Sequence, residues 1–146
     1  MTHQKTDTNW NKKLHMSISN SDLSGVKTAV KHGADLTKRN MYGSPPLVSA
    51  SFNGQKEIVQ YLLTTGIDIN QQNSGGQTAL SYAVSQDHFD IVVLLIESGA
   101  DINRSCMNDY TPLMQSMICK NETCIDYLIA QGACLLYTSP SPRDRG

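Results

Sequence analysis

Apolar and polar residues recur along this chain with a constant spacing of 33 residues. A leucine and a glycine mark the spacing most clearly, and each occurs four times without a shift in register. The in-phase positions are Leu14, Leu47, Leu80 and Leu113, and Gly33, Gly66, Gly99 and Gly132. Because a fixed period of about 20 to 50 residues is typical of stacked repeats, the pattern predicts an array of similar units with one elongated core.

The pattern divides the chain into four units. The clearest copy, residues 43–70, returns at 76–103 and, with more differences, at 109–133. A partial copy precedes it at residues 14–37. Repeats 1 to 4 are therefore assigned to residues 10–39, 40–72, 73–105 and 106–133. Residues 1–9 are polar and lack periodicity, so they are predicted to be a disordered N-terminus.

Each unit is predicted to contain two helices. The first is short and rich in small residues, at about residues 45–53, 78–86 and 111–119, and Pro46 and Pro112 fit near the start of a helix. The second is more apolar, as expected of a helix with a neighbour on either side. The in-phase glycines follow the second helices, where glycine adopts the left-handed conformation that ends a helix. The sequence thus predicts an all-α fold.

Two phrases that recur along the chain resemble parts of an ankyrin repeat. Thr111-Pro112-Leu113 matches the Thr-Pro-Leu opening of that family, and Ser44-Pro45-Pro46-Leu47 is similar to it. Gly99-Ala100-Asp101-Ile102-Asn103 resembles its closing turn. The resemblance covers residues 10–133 and implies an ankyrin-repeat solenoid of stacked helix-turn-helix units with β-hairpin fingers. Repeat 1 would be the N-terminal capping repeat, with Trp10, Leu14, Met16 and Ile18 covering the open end of the stack.

The repeat pattern stops after Ala133. The register calls for Asp-Ile-Asn, but the chain continues with Cys134 and a segment rich in serine and proline. This segment resembles a translated sequencing-library adapter, so residues 134–146 are interpreted as a non-native tail and repeat 4 as truncated. The alternative is a natural disordered tail. The first interpretation predicts that the natural protein continues beyond Ala133.

Charge and composition argue against several classes of partner. The net charge is −1, which favours neither nucleic acid nor a membrane surface as a partner. Residues 1–40 nevertheless carry seven bases and three acids, whereas residues 41–133 carry three bases and nine acids. No apolar run approaches a membrane span, and the N-terminus lacks the apolar core of a secretion signal. Cys119 and Cys124 are predicted to be reduced, partly buried thiols. We therefore expect a monomeric protein of the cytoplasm or nucleus, without membrane insertion.

The sequence contains no recognisable catalytic pattern. Gly75-Gly76 lacks the lysine of a phosphate-binding loop, and no histidine or cysteine set has metal-ligand spacing. His15 is predicted to hydrogen-bond the neighbouring loop, and His88 to have a similar structural role, rather than to transfer protons. Asp87 and Asp90, on either side of His88, are expected to favour the start of a helix electrostatically. No cofactor, metal or catalytic residue is predicted.

The resemblance to ankyrin repeats implies that another protein binds to the concave face, at finger tips and exposed ends of first helices. The corresponding residues here are Arg39, Met41, Tyr42, Ser44, Phe52, Asn53, Gln72, Ser74, Gln77, Ser85, Gln86, Ser105, Met107, Asn108, Tyr110, Ile118 and Cys119. Tyr42, Phe52, Met107 and Tyr110 are the expected anchors, since exposed aromatic residues and methionine are enriched at interfaces. For Phe52 and Tyr110, packing against a neighbouring finger is an equal alternative.

These expectations lead to a non-catalytic protein–protein interaction module, a scaffold or adaptor. Two alternatives remain open. The repeats could be the recognition arm of a longer enzyme, such as a kinase, ligase or acyltransferase, or the cytosolic part of a channel. The partner is not identified by any residue pattern in the sequence.

Overall fold

The computed structural model describes residues 9–105 and 109–133, and these residues form eight α-helices. Met107 and Asn108 of the predicted site, residues 1–8 and the tail 134–146 lie outside the described residues. The helices are α1 (Trp10–Ser19), α2 (Leu23–Lys31), α3 (Pro46–Phe52), α4 (Lys56–Leu63), α5 (Ala79–Ser85), α6 (Phe89–Glu97), α7 (Pro112–Ile118) and α8 (Glu122–Ala130). Two helices therefore belong to each predicted repeat, and the predicted first helices are confirmed to within a residue at each end.

The helices form two layers. The first helices of the repeats, α1, α3, α5 and α7, pack against one another in chain order. The second helices, α2, α4, α6 and α8, form a parallel layer behind them, and each helix also packs against its partner in the same repeat. Neighbouring elements along the chain are thus neighbours in space, which is the arrangement expected of an all-α solenoid.

The core runs along the interface between the layers. The four in-phase leucines are each at most 2% exposed, and Val59 and Val92 of the second helices are fully buried beside them. Burying a side chain of this size stabilises the fold by about 1.5–3 kcal/mol. Since every repeat places the same side chains against the next repeat, the period seen in the sequence is the period of the core.

Side-chain caps and glycines set the helix bounds. Thr78 and Thr111 accept hydrogen bonds from the main chain of α5 and α7, which satisfies one of the unpaired N–H groups at each start. Pro45 occupies the corresponding position before α3 and gives no side-chain cap. Gly66 and Gly99 have φ of 82° and 101° after α4 and α6, which confirms the predicted left-handed ends.

Polar side chains join adjacent repeats. Gln55 donates through Nε2 to the carbonyl of Ile18 (2.5 Å), and one period later His88 Nε2 lies 3.2 Å from the carbonyl of Phe52. His15 Nε2 lies 2.9 Å from the carbonyl of Lys38 in the following loop. The predicted structural roles of both histidines are confirmed, because each satisfies a carbonyl of a neighbouring segment.

The fingers that connect the repeats differ from regular β-hairpins. We define the first, second and third fingers as residues 38–42, 71–75 and 104–108. Within the described residues they contain one isolated antiparallel bridge, between Gln72 and Thr78, and no strand. Thr78 is also the N-cap of α5, so the chain enters the helix before a second strand can form. The turns are instead held by side chains, chiefly Asn40 and Asn73.

Repeat 1 ends the stack in a different way from the one predicted. Trp10 stacks on His32 of α2 with ring centroids 4.2 Å apart, while Leu14 and Ile18 are buried against the core. The expectation that Met16 also covers the open end is wrong, since its side chain is 53% exposed. Residues 14 and 18 are one turn apart on a helix, whereas residue 16 lies near the opposite face.

Candidate partner-binding surface

The tip of the first finger carries the most exposed large apolar side chains in the part of the chain that the structure describes. Met41 is 85% exposed and Tyr42 is 80% exposed. The main chain beneath them is held by Asn40, whose Oδ1 accepts from the N–H groups of Tyr42 (2.9 Å) and Ser44 (3.0 Å). A fixed turn thus presents two apolar side chains to solvent.

Four of the predicted site residues line one hollow, which we call the central groove. Its volume is ≈ 420 Å³, and it is lined by Tyr42, Ser44, Phe52 and Asn53. The remaining walls include residues that were not predicted, of which Tyr82 is the largest. The structure therefore brings four predicted residues of repeat 2 together across the first-helix layer, whereas Met41 and Gln72 line other hollows.

Phe52 both packs and remains accessible. Its ring meets the ring of Tyr82 of α5 edge-on, with centroids 5.0 Å apart, so it packs against the first helix of the next repeat. The Phe52 side chain is nevertheless 43% exposed. The hydroxyl of Tyr82 accepts from Asn73 Nδ2 at 2.9 Å, which fixes the aromatic pair to the second finger.

A second hollow, the N-terminal groove, lies between α1 and the first finger. Its volume is ≈ 490 Å³. Met41 and Tyr42 form its finger side, and Met16 lies on the helix side. Its lining also includes Lys12, His15, Ser19, Asn20, Lys38 and Arg39. Tyr42 borders both grooves.

His15 lies at the border of both grooves and is uncharged at neutral pH. Burial lowers its pKa below the ordinary value of 6.5, and the hydrogen bond to Lys38 offsets this only in part. Its Nδ1 is buried without a hydrogen-bond partner among the described residues. The positive charge of the N-terminal groove therefore comes from lysine and arginine.

Several predicted residues serve the contacts between fingers. Arg39 donates through Nη2 to the carbonyl of Gln72 at 3.0 Å, and these two residues line a separate hollow of ≈ 500 Å³. The main-chain N–H of Ser74 donates to the carbonyl of Gly43 at 3.0 Å. Gln77 accepts from the hydroxyl of Ser81 through Oε1. The first two of these contacts hold the first two fingers side by side, and the third lies within repeat 3.

The predicted residues of repeats 3 and 4 are spread over a wider area. Ser85 and Cys119 line another hollow, of ≈ 530 Å³, with Asp87 and Asn121. Tyr110 and Ile118 are exposed on repeat 4, whereas neither Gln86 nor Ser105 lines any of the four hollows. The structure does not unite these residues with the two grooves.

Sequence reasoning missed the contribution of repeat 1. Ser19 at the end of α1 and its C-cap Asn20 line the N-terminal groove, and they are in phase with Phe52 and Asn53 of the predicted site. The repeat register alone therefore contains the signal for both residues. Met16 gave no such signal, because its in-phase counterpart Ser49 is not among the predicted residues.

The two described cysteines are both free thiols but differ in exposure. Cys124 is buried, and burial raises its pKa to about 11, so it remains protonated at neutral pH. Cys119 is exposed, which corrects the expectation that it is partly buried, because it follows the last turn of α7. Among the described residues, no group of histidine, cysteine and acidic side chains could hold a metal ion, and none of the helices could cross a membrane.

Comparison with known proteins agrees with this geometry. A sequence-family model described as ankyrin repeats (3 copies) matches residues 2–73 and 68–138. The Notch-regulated ankyrin repeat-containing protein A of Danio rerio is 43% identical over 51 residues, which are 35% of this chain and 46% of that protein. The Homo sapiens Notch-regulated ankyrin repeat-containing protein shares the same identity over 51 residues, 35% of this chain and 45% of its own length.

The matched segment spans less than half the length of these relatives. The family model, by contrast, covers most of the chain, and its repeats generally act as protein–protein interaction modules. With two helices per 33-residue unit, left-handed glycines after the second helices and a layered core, the chain belongs to the ankyrin repeat family.

Proposed function

We propose that this chain is a non-catalytic protein interaction module that binds its partner through the concave face and finger tips. The observation that carries the proposal is the pair of exposed apolar side chains at the tip of the first finger, Met41 and Tyr42. They stand beside two hollows that other predicted residues line. Contiguous exposed apolar surface of this kind commonly marks an interface.

The first finger is suited to binding because it is already ordered. Asn40 fixes the turn through its side chain, and the N–H of Gly43 donates to its carbonyl at 2.9 Å. Arg39 ties the same finger to the second one. A surface that is rigid before binding loses less conformational entropy when a partner docks.

We further propose that the chain is a monomer and that it acts in the cytoplasm or nucleus as a scaffold or adaptor. A monomer suffices because both grooves are formed within one chain. The same surface would serve equally if these repeats were the recognition arm of a longer enzyme or channel. In each case the partner contacts would lie on the finger face, which we define as the fingers and the exposed sides of the first helices.

The test is affinity capture with the wild-type chain and two variants. Tyr42→Ala should lower the affinity for captured partners by about tenfold or more, because truncating an interface hot spot costs about 2 kcal/mol or more of binding free energy. Ile129→Ala is the matched control, since Ile129 is 56% exposed but lies on α8 in the other layer. Circular dichroism should show equal helix content in all three.

Equal retention by wild type and Tyr42→Ala would place the interface away from the first finger. Loss of binding by Ile129→Ala alone would assign it to the second-helix layer. Either result would overturn the proposal.

A further inference from the structure

We infer that the N-terminal groove binds an extended, acidic peptide segment of a partner protein, anchored by apolar side chains. This inference rests on the proposed function and gives it a chemical class of ligand and a location. Apolar anchoring, local positive charge and the charge distribution of the whole chain each support it separately.

The apolar anchoring comes from three side chains. Met16 lies on the α1 side of the N-terminal groove, and Met41 and Tyr42 form the finger side. All three are more than half exposed. Methionine adapts its shape to different apolar groups, and tyrosine offers a broad face with a polar end. A hollow of ≈ 490 Å³ accommodates a few side chains of a segment, not a folded domain.

The charge of the N-terminal groove has one sign. Lys12, Lys38 and Arg39 line it, and none of the described lining residues is aspartate or glutamate. The nearby carboxylate of Asp35 accepts from the N–H and the hydroxyl of Thr37, and Asp35 lines the separate hollow beside Gln72. Lys38 and Arg39 line that hollow too, and Asp35 interacts electrostatically with Lys38, so it offsets part of the positive charge. Three bases against this one nearby acid still leave a net positive charge for a ligand with carboxylates.

Arg39 can bind such a ligand while it keeps its hydrogen bond to the second finger. Its bond to the carbonyl of Gln72 uses one of the five N–H donors of the guanidinium group. Planar guanidinium groups recognise carboxylates through two parallel hydrogen bonds. Ser19 and Asn20 add polar groups along α1 that can hydrogen-bond the main chain of an extended segment.

The rest of the molecule directs an acidic ligand to this end. The described part of residues 9–40 carries six bases and two acids, whereas the described part of residues 41–133 carries three bases and nine acids. Such a gradient attracts an acidic segment to repeat 1 and repels it from repeats 3 and 4. The same acids disfavour a nucleic acid, whose phosphates need a continuous positive surface.

The test selects ligands without assuming a partner. A display library of short random peptides is panned on the full chain, and selected peptides are measured by fluorescence anisotropy. The selected sequences should be enriched in aspartate and glutamate next to aromatic or aliphatic residues. Raising salt from about 0.1 to about 1 M shortens the screening length from about 10 to about 3 Å and should weaken binding several-fold.

Charge reversal within α1 provides a matched pair of variants. Lys12 and Lys13 are both exposed in the first turn, where an acid favours the helix, but of these two Lys12 lines the N-terminal groove. Lys12→Glu should raise the Kd about fivefold and Lys38→Glu about tenfold, within the range of interface charge pairs. Lys13→Glu should leave the Kd within about twofold, since exposed charges outside the contact contribute little.

The outcomes separate this inference from the proposed function. Peptides that need Tyr42 but lack acidic residues, or that tolerate Lys12→Glu and Lys38→Glu, would overturn the inference and leave the proposed function standing. Peptides insensitive to Tyr42→Ala would overturn both. If a single-stranded oligonucleotide bound more tightly than the selected peptides, and Lys38→Glu abolished that binding, the groove would be assigned to nucleic acid and the inference would be overturned.

Discussion

Left-handed residues recur at the turn between the two helices of every repeat. Ser21, Gly54, Asp87 and Lys120 are in phase there, and each has φ between 55° and 76°. Only glycine adopts this conformation without a clash between Cβ and the main chain. The glycines after the second helices could be predicted from the sequence for this reason. The strained positions could not, because serine, aspartate and lysine give no such signal.

Lys120→Gly should stabilise repeat 4. Relief of the left-handed strain is worth about 1 kcal/mol in the free energy of unfolding. Lys120→Ala is the matched control, because it removes the same long side chain but retains the Cβ. Urea unfolding should show a gain for glycine and none for alanine, and equal effects of the two substitutions would contradict the assignment of strain.

His15 should make the fold sensitive to mild acid. Its Nε2 donates to Lys38 and its Nδ1 is buried without a partner, so protonation creates an unpaired donor. Because the pKa in the folded state is lowered, the unfolded chain binds the proton first. The stabilisation is therefore complete above the ordinary pKa of 6.5 and is lost as the pH falls below it.

His15→Gln is the matched variant, since glutamine can still donate to Lys38 but does not titrate. Urea unfolding at about pH 7.5 and about pH 5.5 should show a smaller loss of stability for the variant than for wild type. The same pH dependence in both proteins would rule out His15 as the source.

At the scale of single elements, the fingers show how far the sequence could be interpreted. Their position and polar, varied composition were predictable from the contrast with the repeated helices. The internal structure of the first two fingers was not, because it depends on one asparagine in each, Asn40 and Asn73, whose side chains replace strand pairing. The same asparagines reach the first helices, at Ser49 and Tyr82.

Asn73→Ala should destabilise the second finger. It removes the bonds from Asn73 Oδ1 to the N–H groups of Gly75 and Gln77 and from Nδ2 to Tyr82, at a cost of about 2–3 kcal/mol. Asn73→Asp keeps the acceptor and should cost less. Hydrogen exchange should show early loss of protection at Gly75 and Gln77 in the alanine variant, and unchanged protection would mean that the turn forms without the side chain.

At the scale of the whole molecule, the 33-residue register of the repeats explains which features could be predicted from the sequence and which could not. The core could be predicted because each position of the repeat meets the same environment in its neighbour. The binding surface could not be predicted fully, because a groove depends on which repeats adjoin it. Repeat 1 contributes Met16 and Ser19 to that surface, while the predicted residues of repeats 3 and 4, such as Ser85 and Cys119, lie around a different hollow.

The most direct test of the proposed interface is methyl NMR of the chain labelled at its six methionines. Met16 and Met41 line the N-terminal groove, whereas Met114 and Met117 lie on α7. A selected peptide should shift the methyl signals of Met16 and Met41 and leave those of Met114 and Met117 unchanged. A captured partner should also shift the signals of Met16 and Met41. Unchanged signals of Met16 and Met41 at saturating ligand, with a shift at Met117, would contradict binding at the first finger.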